Sequence, residues 1–296
     1  MTAIAGYRAI RAVRGAWLRW RLAPRSFQVG AVLLLLHLLL GLFGPALAPY
    51  GLAEMNAGPP LSGLSLAHPF GTDALGRDVV SRVMHGAPIV LLLAFSGTAL
   101  GFAVGTSIGL VCGYLRNWLD ELVQRLIEAL ISIPFLVLAL MAIAAAGPSL
   151  SGQPILIILV VALVYAPRTA RLARAAALDV VARDFVSVAR LRGDPAWTVV
   201  WRELLPNAMG SLFVEFSLRA GYAPVLVGSL GFLGFGLRPP TPEWGLLISE
   251  NRSLMFVTPL AVLGPGAVLA SLVVGLNLFT EGLARMLGRT EVIARV

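Results

Sequence analysis

Six apolar runs long enough to cross a bilayer dominate this chain, at about 29–48, 88–113, 123–146, 154–173, 207–232 and 258–283 of its 296 residues. Each is near the roughly 20 residues that a hydrocarbon core requires of a helix. Backbone inside lipid must satisfy its own polar groups, which leaves helices and closed barrels, and runs of this length are helical. A mean hydropathy of +0.85, with 58% hydrophobic and 13% charged residues, excludes a soluble globule. The fold class expected is an all-α polytopic membrane protein with six transmembrane helices.

An even number of spans puts both termini on one side, and the charges say which. All 23 basic residues are arginine. With the amino terminus inside, 18 of them fall in cytoplasmic segments or at that interface, against four outside (Arg77, Arg82, Arg238 and Arg252) and Arg219 within a span. Basic residues are retained on the cytoplasmic side, so both termini are expected there. The formal charge of +8 then reads as topology, not as an affinity for nucleic acid. The organisation that follows is a basic tail over 1–28, a first, retained helix over 29–48, and an extracytoplasmic segment over 49–87 with a short surface helix. A five-helix core over 88–286 contains a cytoplasmic loop, 178–206, and a tail closes the chain over 287–296. In the first tail Tyr7, Ile10, Val13, Trp17 and Trp20 share one side of a helix, as in a basic amphipathic helix on the inner leaflet; a merely topogenic tail fits equally.

The stretch Asp184–Asn207, DFVSVARLRGDPAWTVVWRELLPN, is a polar island. Asp184 has the chemistry of a helix cap, and Gly193 ends that helix by taking a left-handed conformation. Asp194 and Pro195 start a second helix, in which Trp197, Val200, Trp201 and Leu204 form one apolar face and Pro206 is the stop. Arg190, Arg192 and Asp194 cluster about the bend. Read from the residues alone, this is equally a solvated connector or a grip for a soluble partner.

Three further places carry charge or strain. In 68–87, HPFGTDALGRDVVSRVMHGA, Thr72 or Asp73 can cap a short helix, Asp73 with Arg77 and Asp78 with Arg82 form i,i+4 pairs, and Gly86 can end it. Ser132 and Pro134 interrupt the third run, four residues after Glu128, and predict a kink. Glu215 and Arg219 sit four apart on one face inside the fifth run, as a structural pair or as a pair lining a pathway. After the fourth run Arg168, Arg171 and Arg174 form a collar that snorkelling explains. Three prolines precede Glu243, Trp244 and Gly245 in PPTPEWG and forbid a helix there, with Trp244 suited to the membrane interface.

Ala189, Gly193, Leu205, Pro206 and Asn207 resemble the EAA loop of ABC-importer permeases. Ser187 stands where that family has glutamate, and Val188 where it has its first alanine. GTDALGRDVVSRV, with Gly71, Thr72, Asp73, Gly76, Arg77 and Asp78, is similar to a segment of the dipeptide/oligopeptide/nickel subgroup. FLGFG followed by PPTPEWG, with Pro242, Trp244 and Gly245, is similar to another, although Val227 replaces a glutamate usual there. The resemblance spans roughly residue 66 to the end. It implies the type I ABC-importer permease fold in a bacterial cytoplasmic membrane, and a complex with a second homologous permease, two ATP-binding subunits and an extracytoplasmic binding protein. It assigns ATPase coupling to Asp184, Ser187, Ala189, Arg190, Arg192, Gly193, Asp194, Pro206 and Asn207. It makes Glu128, Ser132, Pro134, Glu215 and Arg219 candidates to line the pathway. The cargo implied is a di- or oligopeptide, alternatively a nickel chelate, glutathione or another small conjugate.

A chain without lysine cannot supply the phosphate-cradling loop and its lysine, so ATP and magnesium are expected on partner subunits, with no cofactor on this chain. His37, His68 and His85 are scattered and Cys112 is alone, which gives no metal centre and no nucleophilic arrangement. The chain is expected to be non-enzymatic. An ATPase-independent secondary transporter is the reading from another class, disfavoured by the absence of an internal repeat and of numerous buried charges.

Overall fold

The structure is a computed structural model and describes residues 23–293, with side chains through 286; the expected amphipathic helix of the first tail lies outside the described residues. The helices in chain order are α1 Arg25–Leu47, α2 Val79–Leu115, α3 Trp118–Ser132, α4 Phe135–Ala146, α5 Pro154–Val181, α6 Asp184–Leu191, α7 Leu205–Phe232, α8 Trp244–Asn251 and α9 Pro259–Ile293. Among the described residues α1, α2, α5 and the Pro259–Met286 part of α9 are each long and apolar enough to cross a membrane. A fifth span results if α3 and α4 count as one, but they meet at 101°. Helix α7 has the length and is not among them, since Glu215 and Arg219 lie inside it.

The third apolar run is thus broken rather than kinked. Pro134 forces the residue before it out of the helical region, and Ile133 takes ψ 130°, with Pro134 itself at ψ 131°. Two consecutive extended residues cannot be absorbed by a bent helix, so the chain turns and restarts at Phe135.

Helix α2 carries the signal that organises the bundle, five glycines at a spacing of four: Gly97, Gly101, Gly105, Gly109 and Gly113. They form one stripe down the helix, and α5 lies against it. A Cβ on Gly105 would come within 2.5 Å of the Ala166 carbonyl oxygen, and one on Gly109 within 2.3 Å of that of Ala170. Helices in lipid gain nothing from excluding water between them, so close van der Waals contact along small residues holds such a pair. Helices α1 and α9 form a second tight pair, where Gly30 abuts the Phe279 backbone and Gly282 that of Phe27. His37 in α1 fastens it, with Nδ1 2.8 Å from the Leu33 oxygen and Nε2 3.1 Å from both the Val268 oxygen and Ser271 Oγ. Helix α7 packs against α2, α5 and α9 and closes the core.

Helix α2 begins at Val79, capped by Asp78, and passes through Gly86 without a stop. The short surface helix expected within 49–87 therefore does not stand alone: residues 68–78 form a tight turn, with Thr72 bridged to Asp78, leading into α2. Gly86 ends nothing, because it is the place where Pro242 and Trp244 pack against α2.

Candidate functional site

Three groups of residues stand apart from ordinary helix packing. The first is the island. Helix α6 turns Val186 and Ala189 inward and leaves Asp184, Ser187, Val188, Arg190 and Leu191 outward, Leu191 at 88% exposure. Asp184 occupies the first turn but makes no cap bond; the cap position is Arg183. Gly193 takes φ +82°, as its position after the helix predicts, and the Asp194 N–H donates to the Ala189 oxygen at 3.1 Å to close the bend. The Asp194 side chain does not start the next helix. It accepts from Arg192 instead, at 2.5 Å and 3.2 Å from the two guanidinium nitrogens. Arg190 lies over the Tyr114 ring, 4.7 Å from its centre.

Pro206 does not end the second half of the island. Residues Val199–Leu204 are wound as a π-helix, and Pro206 falls in the first turn of α7. A wider turn accommodates a ring that would collide with the carbonyl four residues back, and supplies no bond that the missing N–H would break. The same widening shifts the register: Val199, Val200 and Leu204 are buried, while Trp197 is 70% exposed and packs tilted, at 57°, against Trp201 with 5.1 Å between centroids. Asn207 is exposed, its Nδ2 donating to the Glu203 oxygen at 2.7 Å.

In the second group, two of the five candidates for the pathway, Glu128 and Arg219, line cavities, and they line different ones. Glu128 lines one of about 540 Å³ with Glu121, Arg125, Arg171 and Arg174. Arg174 is held there by two bonds of 2.6 Å to Asp120, so the arginine collar is partly a structural clasp between α3 and α5. Glu215 is buried and pairs with Arg219 at 2.6 Å. Arg219 in turn lines a smaller cavity, of about 130 Å³, with Phe135, Tyr165, Arg168, Tyr222 and Val225. Pro134 adjoins this cavity only through Phe135, and Ser132 is exposed, with its hydroxyl bonded to the Ala129 oxygen at 2.7 Å. Tyr165 and Tyr222 were not singled out from the sequence, and Arg168 was read only as part of the snorkelling collar. The signal available was the pair of Tyr/Arg spacings, Tyr165 to Arg168 and Arg219 to Tyr222, each three apart and so on one helical face.

The third group joins the two motifs flanking the core. Gly71, Thr72, Asp73, Gly76, Arg77 and Asp78 are all buried, as are Pro242, Trp244 and Gly245. Asp73 accepts from Arg77 Nε at 2.6 Å and from Arg82 Nη1 at 3.1 Å, and both arginines reach Glu250 of α8, at 3.2 Å and 2.7 Å. The expected Asp78–Arg82 pair does not form. Asp78 instead accepts from Ser81 N at 2.7 Å as the cap of α2 and meets His68 Nδ1 at 2.9 Å. Charges expected in solvent are therefore inside a knot. Trp244 is fully buried rather than interfacial, its Nε1 donating to the Val83 oxygen at 3.0 Å. Glu243 caps α8 by accepting from the N–H groups of Gly245 and Leu246 at 2.8 Å and 2.9 Å, and burial pushes its carboxyl up to about 7.

Among the described residues, several helices long and apolar enough to cross a membrane make this a multi-pass membrane protein. The chain belongs to the family described as binding-protein-dependent transport system inner membrane component, whose model matches residues 105–291. It is 32% identical over 270 residues to the dipeptide transport system permease protein of Alkalihalophilus pseudofirmus, covering 89% of this chain and 88% of that one. It is 35% identical over 273 residues to a glutathione transport system permease protein of Shigella flexneri, covering 90% of this chain and 87% of the relative. The corresponding protein of Escherichia coli O1:K1 is 34% identical over the same length.

Proposed function

We propose that this chain is one transmembrane subunit of an ATP-driven importer of di- or oligopeptides or of glutathione-like conjugates, seated in a bacterial cytoplasmic membrane. Six spans cross it, with α3 and α4 together counting as one and α7 as another, and both termini face the cytoplasm. A second homologous permease completes the pathway, two ATP-binding subunits supply ATP and magnesium, and an extracytoplasmic binding protein delivers the cargo. The relatives' names, for dipeptide and glutathione transport, support the cargo class.

One observation carries the ATPase coupling: the island presents Phe185, Val188, Leu191 and Trp197 outward beside Arg190 and Arg192 while its other face is anchored in the core by Val186, Ala189, Val199, Val200 and Leu204. Large exposed apolar side chains on a polar loop mark a surface that a partner covers. The ATPase grips this bend, and its closure on ATP tilts α6 about Gly193 and moves α5 and α7, which the island joins.

Reconstitution tests the reading. Proteoliposomes holding the permease pair and the ATPase that co-purifies with it, supplied with the binding protein, take up dipeptide only with ATP inside the cytoplasmic compartment. Uptake that persists without the ATPase would return the chain to the secondary-transporter class.

A further inference from the structure

We propose that the cavity between Arg168 and Arg219 is a binding site for the carboxylate of a small organic acid in transit, read by Arg168. The inference rests on the importer reading above and adds the chemical group that the pathway recognises.

Arg168 and Arg219 stand near the middle of two helices of 28 residues each, Pro154–Val181 and Leu205–Phe232, and both line this cavity; Arg168, read from the sequence as part of a snorkelling collar, is turned toward the cavity instead. Their situations differ. Arg219 is neutralised by Glu215 at 2.6 Å. Arg168 donates Nη1 to the Val164 oxygen at 3.1 Å and, among the described residues, forms no ion pair. The cavity thus carries one guanidinium charge in excess. A half-buried charge is costly unless it faces a cavity and meets a counter-ion, and here the chain provides the cavity and one carboxylate, Glu215, for two guanidinium groups.

The lining fits a carboxylate better than an inorganic anion. A guanidinium presents parallel N–H donors at the spacing of two carboxylate oxygens. The remaining walls are the rings of Phe135, Tyr165 and Tyr222 and the side chain of Val225, surfaces suited to the carbon skeleton next to such a group. At about 130 Å³ the cavity is small, suited to a carboxylate with a few carbons rather than to a whole peptide. The rest of the cargo extends past Tyr222 and Phe135, which are exposed on this chain. The cavity also sits at the break between α3 and α4, since Phe135 is the first residue after it. Movement of that break therefore opens or closes one wall.

The test uses the assembled importer in proteoliposomes, with dipeptides and glutathione offered as free acids and as their carboxyl amides. For Arg168→Gln, in complexes shown to assemble by co-purification, uptake of the acid relative to the amide is expected to fall at least tenfold from the wild-type ratio. Because the same binding protein serves both complexes, its own preference cancels in that comparison. An unchanged ratio, or an equal loss of acid and amide, overturns the carboxylate site while leaving ATP-driven uptake in place. If the Gln variant does not assemble, Arg168→Lys keeps the charge but loses the two-pronged donor, and a fall of about two- to fivefold in the ratio is expected; no fall overturns the proposal. Failure of wild-type complexes to take up any cargo with ATP would count against the importer reading instead.

Discussion

The knot formed by residues 68–82 and 242–250 and the island over 184–207 are both polar interruptions of an apolar chain, and they are built in opposite ways. In the knot most charged groups are turned inward and answered: Asp73 by Arg77 and Arg82, both of these by Glu250, and Asp78 by Ser81 and His68, although Arg82 Nε and Nη2 find no partner. In the island the arginines find lighter partners, Arg192 in Asp194 and Arg190 in the Tyr114 ring, while large apolar side chains point outward. Residues that satisfy one another hold a shape, whereas residues left exposed at an energetic disadvantage require something else to cover them. The knot is thus a fastening of α8 onto the start of α2, and the island a surface awaiting a partner.

That contrast breaks if the knot proves dispensable. Asp73→Ala removes one of the two carboxylates that hold two buried arginines and leaves both guanidinium groups to Glu250 alone; breaking such a buried network costs up to about 3–5 kcal/mol. The expected result is a marked fall in the melting temperature of the detergent-purified complex; a variant that melts like wild type would show that the network is solvated. The knot should also be pH-sensitive through Glu243. Its carboxyl is raised to about 7 from 4.5, so the folded chain holds a proton that the unfolded chain gives up. The stabilising contribution is complete below the unfolded value and is lost as pH rises through about 7, amounting to roughly 3 kcal/mol at most. Melting temperature should fall across that window, and Glu243→Gln should flatten the profile.

The knot also shows where sequence reading reaches its end. Apolar runs gave the helices, because length and hydropathy are local properties. Gly193 was legible too, since a left-handed residue between two helical patterns is a local need that its φ of +82° meets. Arg82 was not: an i,i+4 partner was available in Asp78, and only the fold brings Glu250, 168 residues away, to 2.7 Å. Trp244 looked interfacial for the same reason, as its true partner, the Val83 carbonyl, is 161 residues distant. Pro206 misled because a proline's cost assumes α-helical winding, and a π-turn just before it changes that geometry. The glycine stripe of α2 was readable at a strict spacing of four, though its partner, the alanine-rich face of α5, is identified only by contact. Of the cavity around Arg168, each half was visible as a Tyr/Arg spacing, but nothing local joins α5 to α7.

In the island, expected structural costs are smaller and functional effects larger. Gly193→Val places a branched side chain at a left-handed position, a local strain of about 1–2 kcal/mol. Nothing lies within 4 Å of a Cβ there, so the fold should survive. Cargo taken up per ATP hydrolysed is expected to fall about tenfold or more, because the bend about which the ATPase acts is displaced; preserved coupling would remove Gly193 from the mechanism.

The smallest structural change gives the sharpest comparison, between two exposed positions on α6. Leu191 is 88% exposed, and Leu191→Ser should alter stability by no more than about 0.5 kcal/mol. If the ATPase covers that side chain, its loss forfeits the burial of one leucine, about 1.5–3 kcal/mol, and weakens ATPase binding by about tenfold or more in titrations of the detergent-solubilised permease. Ser187→Glu, also exposed, restores the charge usual in this loop and is expected to change the same affinity by less than about fivefold, since an exposed pair contributes at most about 1 kcal/mol. A large gain from Ser187→Glu with no loss from Leu191→Ser would reverse the assignment, making the grip electrostatic and the exposed apolar face incidental. The expected pattern would instead mean that this loop can lack the glutamate because apolar contact about the bend carries the attachment.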